Sequence, residues 1–136
     1  MSTGAGEPTP RPPFVPARGW RRKYGFALRG VQRCLIQELS FRIHFPVAMV
    51  VVAAGFAARL DAARWCVLVL SIALVWSAEL FNSSLEQLAK AVDTAENERI
   101  RDALDMAAGA VLLVALGAAL VGVMVLGPPL WRLVMG

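Results

Sequence analysis

The chain has 136 residues, of which 57% are hydrophobic and 18% charged, and its 14 Lys or Arg against 10 Asp or Glu give a net charge of +4. That balance is too apolar for a typical soluble domain, and the length suits one compact unit. The chain reads as a small all-α integral membrane protein, with three transmembrane helices preceded by an amphipathic surface helix and no nucleic acid among its partners.

Residues 1–17, "MSTGAGEPTPRPPFVPA", hold five of the eight prolines and little that can pack. They are expected to be a disordered leader on which no function depends, with residues 18–136 forming a single membrane domain. The first apolar run begins only after this leader and a basic segment, so it reads as a retained span rather than a secretory signal.

The segment "RRKYGFALRGVQRCLIQELSF" predicts an amphipathic helix over about 20–40. Phe26, Val31, Leu35 and Leu39 supply an apolar stripe, and Arg22, Arg29 and Arg33 stand beside it, a pattern suited to an anionic membrane surface. Glu38 does not fit that role, because a carboxylate at the entry to the bilayer opposes binding to anionic lipid.

Three apolar runs follow: "FPVAMVVVAAGFAARL", "WCVLVLSIALVWSAELF" and "MAAGAVLLVALGAALVGVMVL". Each approaches the ~20 residues that cross the hydrocarbon core, predicting spans over about 43–60, 65–86 and 105–126. Eight cations precede the first span and Lys90, Arg99 and Arg101 lie between the second and third, against Arg59, Arg64 and Arg132 on the other side. The positive-inside rule then places the N-terminus and the 87–104 segment in the cytoplasm.

Cys34 and Cys66 fall at opposite faces, so a disulfide between them would have to cross the membrane. His44, the only histidine, reads as a hydrogen-bonded structural residue at the interface rather than a ligand.

Glu79 poses the main question. It lies 14 residues after Trp65, about 21 Å along a helix and still within the hydrocarbon slab. An intramembrane carboxylate costs ~2.5–3.5 kcal/mol on insertion scales, which makes it a functional candidate; the structural alternative is an interhelical hydrogen bond. Asn82 and Glu86 follow at i+3 and i+7, on the same helix face. Oxygen ligands in a row near an interface suit a hard cation such as Mg²⁺, which arrives with phosphate. A second acidic stripe, Glu98, Asp102 and Asp105, repeats the pattern at i, i+4 and i+7, with Arg101 one turn before Asp105. A solvated helix face explains that stripe equally simply. Two acidic stripes at the cytoplasmic boundary would let a water-soluble nucleotide meet the head of a membrane-dissolved substrate.

"ELSFRIH" from Glu38, "ELFNSSLE" from Glu79 and "LDMAAGAVL" around Asp105 together resemble the prokaryotic diacylglycerol kinase and undecaprenol kinase family of small three-span proteins. The resemblance covers about residues 20–126, with the motifs in the family's order. It implies an ATP-dependent lipid kinase in which Glu79 is the catalytic base toward the lipid hydroxyl. By the same resemblance Glu38 and Glu86 are the metal-coordinating carboxylates that carry Mg²⁺ with ATP. Asn82 stands close to the transferred phosphate, Glu98 and Asp105 are nucleotide-binding acids, and Arg22 is a basic residue near the nucleotide. The family's homotrimeric assembly, with sites shared between neighbouring chains, is implied with the rest.

One departure is marked. Where the family's motif carries a lysine toward the ATP phosphates, this chain has Leu104, and Arg101 is the cation one turn earlier on the same face. No "GxxxxGK[ST]" or "GxGxxG" stretch occurs, so a nucleotide site would have to be built from membrane helices. The residues leave three classes open: a kinase of diacylglycerol or undecaprenol, a non-catalytic protein of the same fold, and a proton-conducting oligomer built on Glu79.

Overall fold

The computed structural model describes residues 19–92 and 97–136; the expected leader lies outside the described residues. Among these, the chain is entirely helical: α1 (Trp20–Gln37), α2 (Leu39–Ala57), α3 (Ala62–Val92) and α4 (Glu98–Met135). Three helices, α2, α3 and α4, are long and apolar enough to cross a membrane.

The first helix is amphipathic, with Val31, Cys34 and Leu35 half-buried on one side and Arg21, Arg22, Arg29 and Arg33 exposed. It ends at Gln37, earlier than the alternation of residues implies, because Glu38 adopts an extended conformation (φ −93°, ψ 128°) and caps α1 and α2 at once. Glu38 is therefore the hinge between the surface helix and the first span.

The second helix contains Pro46, which removes the amide that would otherwise bond the Arg42 carbonyl. A tight connection over 58–61 reverses the chain, with Arg59 at φ 49°. Asp61 Oδ1 then accepts the Arg64 amide at 3.1 Å, capping the start of α3. Trp65 closes the hairpin by packing its ring at a tilt against Phe56, with ring centroids 4.8 Å apart. Its ring lies so close to Gly55 that a Cβ there would come within 2.9 Å, so the absent side chain permits this approach.

At 31 and 38 residues, α3 and α4 are about 46 and 57 Å long and outrun a ~30 Å hydrocarbon core. The acidic stripe from Glu98 to Asp105 lies on the first turns of α4, continuous with the third apolar helix. Leu60, Leu68 and Leu126 form a small buried cluster joining the 58–61 turn to α3 and α4.

Candidate active site

Trp76, Glu79, Ser83 and Gln87 recur along α3 at i, i+3, i+7 and i+11, a spacing that lines one helix face. The first two helices wrap that face. Phe41, only 1% exposed, meets Trp76 edge-on at 6.1 Å between centroids, and Phe45 stacks on the same indole at 5.9 Å. His44, between these two phenylalanines on α2, has Nε2 2.9 Å from Oε1 of Glu79, one turn after Trp76 on α3. The aromatic contacts fix the register of α2 on α3, and that register brings the imidazole to the carboxylate. Glu79 is only 3% exposed, as expected of a membrane carboxylate that has found an intramolecular partner.

The hinge region covers the next turns. Ser83, buried one turn after Glu79, stands near the Cys34 side chain of α1. Burial pushes the Cys34 thiol up from its ordinary value and the nearby Glu38 carboxylate adds to the rise, while Ser83 and Arg33 oppose it. One turn on, Gln87 Nε2 donates to Glu38 Oε1 at 3.3 Å. Since Gln87 is the neighbour of Glu86, the hinge carboxylate and the Glu86 carboxylate come to the same turn of α3.

Asn82 and Glu86 lie beside this face and are half-buried. Asn82 Nδ2 donates to Glu86 Oε1 at 2.9 Å, and Lys90 Nζ stands 3.9 Å from Glu86 Oε2. The polar stripe is thus a ladder of i, i+4 contacts, oriented before any ligand arrives. Among the described residues no group of three His, Cys, Asp or Glu is placed to enclose a metal. Mg²⁺ does not require one, since it is commonly held by one or two carboxylates with substrate phosphates.

On the membrane side, an apolar groove of about 610 Å³ runs between α2, α3 and α4, from Leu130 and Leu126 past Ala118 and Val75 to His44. Small side chains on α4, among them Ala115, Ala119 and Gly122, leave the space open. The imidazole thus lines the groove with one part of its surface and meets Glu79 with another.

The remaining sequence-predicted residues are more scattered. Arg22 is exposed on α1, 12 residues before Cys34 and so roughly 18 Å of helix from the Ser83 contact. Glu98, in the first turn of α4, and Arg101 and Asp105 beyond it are all exposed. The structure does not gather them around Glu79 within one chain. Leu104 is half-buried and lines an apolar pocket with Leu85, Leu88, Ala89 and Val92 of α3. That position serves the α3–α4 seam.

The prokaryotic diacylglycerol kinase family profile matches residues 25–126, a stretch that contains the hinge, the buried Glu79 and the ladder below it. The chain belongs to the prokaryotic diacylglycerol kinase family. It is similar to a diacylglycerol kinase from Synechocystis, at 37% identity over 111 residues that make up 81% of this chain and 63% of that protein. It is also similar to an undecaprenol kinase from Bacillus subtilis, at 28% identity over 109 residues, or 80% of this chain and 89% of the relative. The chain therefore spans less than two thirds of the Synechocystis relative's length. Both relatives are named as kinases of lipid alcohols.

The sequence reading of His44 as a hydrogen-bonded residue fits its contact with Glu79, a partner that reading did not name. Its signal was available: intramembrane ionisable groups tend to pair with one another, and His44 and Glu79 lie at comparable distances from the 58–61 turn.

Proposed function

We propose that the chain phosphorylates a membrane lipid alcohol with ATP at the cytoplasmic face of a bacterial inner membrane, with diacylglycerol the preferred acceptor and undecaprenol the alternative. The observation that carries this reading is a buried carboxylate, Glu79, held 2.9 Å from His44, which itself lines an apolar groove. With its apolar chain in the groove, a lipid alcohol would bring its hydroxyl, on the glycerol of diacylglycerol or at the end of the prenyl chain, toward the His44–Glu79 end.

The chemistry asks little more of the protein than positioning and charge neutralisation. Glu79 takes the proton from the lipid hydroxyl as that oxygen bonds to the γ-phosphorus. The bond between the γ-phosphorus and the β,γ-bridging oxygen breaks, and ADP leaves. Burial keeps water from competing with the lipid hydroxyl for the carboxylate. Asn82, fixed by its bond to Glu86, presents its amide beside the path of the transferred group.

Glu38 and Glu86 would hold Mg²⁺ with ATP, Glu38 oriented by Gln87 and Glu86 by Asn82. When bound, the ion neutralises charge on the β- and γ-phosphates. Arg101 takes the phosphate-facing role of the family's lysine, since Leu104 is committed to the α3–α4 seam. Glu98, Asp105 and Arg22 complete the nucleotide contacts. Their separation from Glu79 within one chain supports a site assembled between subunits of a homotrimer. The chain's own α2 already covers Glu79, so the surface left for a neighbour to cover is that of Asn82, Glu86 and the start of α4.

Purified protein in mixed micelles with labelled ATP and Mg²⁺, given diacylglycerol and undecaprenol in parallel, tests activity and acceptor together. Phosphate transfer to either lipid supports the reading. Transfer to neither would favour a non-catalytic member of the family, a role that the apolar Leu104 makes specific.

A further inference from the structure

The base alone does not account for the geometry around Glu79. A carboxylate has two equivalent oxygens, and one that is free to rotate offers its basic lone pairs in many directions. Here Oε1 is committed to His44 Nε2 at 2.9 Å, with the carboxylate side chain 4% exposed and the imidazole 25% exposed. The imidazole is itself held in place. Phe41 and Phe45, three residues before it and next to it in α2, grip Trp76, which lies one turn before Glu79. The Cys34 thiol of α1 lies within electrostatic reach of this carboxylate, with the Ser83 hydroxyl and the Glu38 and Arg33 charges around the thiol.

We infer that His44 is the positioning residue of Glu79: its Nε2–H donates to Oε1 and reserves the second oxygen, Oε2, for the proton of the acceptor hydroxyl. The inference rests on the reading of Glu79 as the base. Nε2 has to carry hydrogen to donate to the carboxylate, so the contact also fixes one ring nitrogen as the donor. Because the imidazole lines the groove as well, the residue that orients the base also forms the wall beside the incoming headgroup. A base held in one rotamer meets the hydroxyl in a reactive geometry without an ordering cost at the moment of transfer. The contribution should therefore fall on kcat rather than on the affinity for either substrate.

The test uses the full-length protein in detergent micelles with a short-chain diacylglycerol, ATP and Mg²⁺, and measures kcat and both KM values. His44→Phe keeps a ring but no donor and is expected to lower kcat by about tenfold or more, with both KM values little changed. His44→Gln places an amide N–H₂ at a similar reach and is expected to recover most of that loss. In a Glu79→Gln background, His44→Phe should cost nothing further, because the two residues act as one unit. Equal losses in His44→Phe and His44→Gln, a KM effect without a kcat effect, or an unchanged rate in His44→Phe would each overturn the assignment. If His44→Phe fails to melt cooperatively, His44→Gln decides alone: a rate near that of the unaltered protein supports the inference, and a loss as large as tenfold overturns it. An unaltered protein that transfers no phosphate to any lipid would overturn the kinase reading itself, a different outcome from a failure of His44 alone.

Discussion

Glu38 and Gln87 are 49 positions apart in the sequence, and their side chains meet at 3.3 Å, the amide of Gln87 donating to Oε1 of Glu38. This bond ties the hinge between α1 and α2 to the turn of α3 that carries Glu86. It gives Glu38, which lies at an extended break between two helices, a reason to point at α3.

If that bond orients a Mg²⁺-holding carboxylate, Gln87→Ala should raise the Mg²⁺ concentration needed for half-maximal activity by about tenfold, the scale found when a ligand loses its outer partner. Glu38→Ala should raise it further. A Mg²⁺ titration of the kinase rate checks both. An unchanged titration in Glu38→Ala would remove that residue from the metal site.

Phe41 of α2 is 1% exposed and packs edge-on against Trp76. Phe41→Ala should cost about 3–5 kcal/mol of stability and lower kcat as the α2–α3 register loosens. Thermal melting in detergent, followed by helical circular dichroism beside the kinase assay, reads both effects.

The two cysteines should differ in reactivity. Cys34 is half-buried, and its thiol is raised by burial and by Glu38, whereas Cys66 is exposed. Below the ordinary thiol range Cys34 is protonated whether the chain is folded or not, and its protonated form fits the native site. As pH rises past that range, an unfolded chain would release the proton first, so this contribution to stability declines toward alkaline pH. Cys34 should therefore alkylate with N-ethylmaleimide more slowly at pH 7.5 in the folded protein than in the SDS-denatured chain. Mass spectrometry of timed samples measures the rate at each cysteine.

Leu104 and Arg101 separate two explanations of phosphate binding. Leu104 faces Leu85 and Leu88 across the α3–α4 seam, so Leu104→Lys should lower the melting temperature without lowering the KM for ATP. Arg101→Ala should raise that KM by about tenfold, equivalent to ~1.4 kcal/mol of lost phosphate contact. A lower KM in Leu104→Lys would show that the seam yields and that a cation at position 104 reaches the phosphates.

Much of the architecture was legible because hydropathy reports it directly. The apolar runs beginning at Phe45, Trp65 and Met106 mark three helices, and the arginine-rich segment before them marks a fourth. Boundaries were less legible: α1 stops at Gln37 because of a backbone conformation at Glu38 that no periodicity encodes. Glu79 stood out from its cost in hydrocarbon, but its partner did not. The contact with His44 depends on how far α2 slides along α3, and that is set by Phe41 and Phe45 on Trp76, which read in sequence as ordinary core aromatics. The proximity of Cys34 to Ser83 and the bond of Gln87 to Glu38 were hidden for the same reason. Intrahelical periodicity showed that Asn82 and Glu86 share a side of α3, but it carried no information on which neighbouring helix covers that side.

The central claim, that a buried Glu79 activates a lipid hydroxyl for phosphoryl transfer, is tested most directly by Glu79→Gln. Phosphorylated lipid formed per unit time should be compared between this variant and the unaltered protein, at saturating ATP, Mg²⁺ and diacylglycerol, with ATP binding and melting followed in parallel. The account predicts a loss of roughly 10²–10⁴-fold in turnover with ATP binding and cooperative melting retained, because the amide keeps the shape of the carboxylate but cannot take the proton. A Glu79→Gln protein that phosphorylates lipid at the unaltered rate would contradict it.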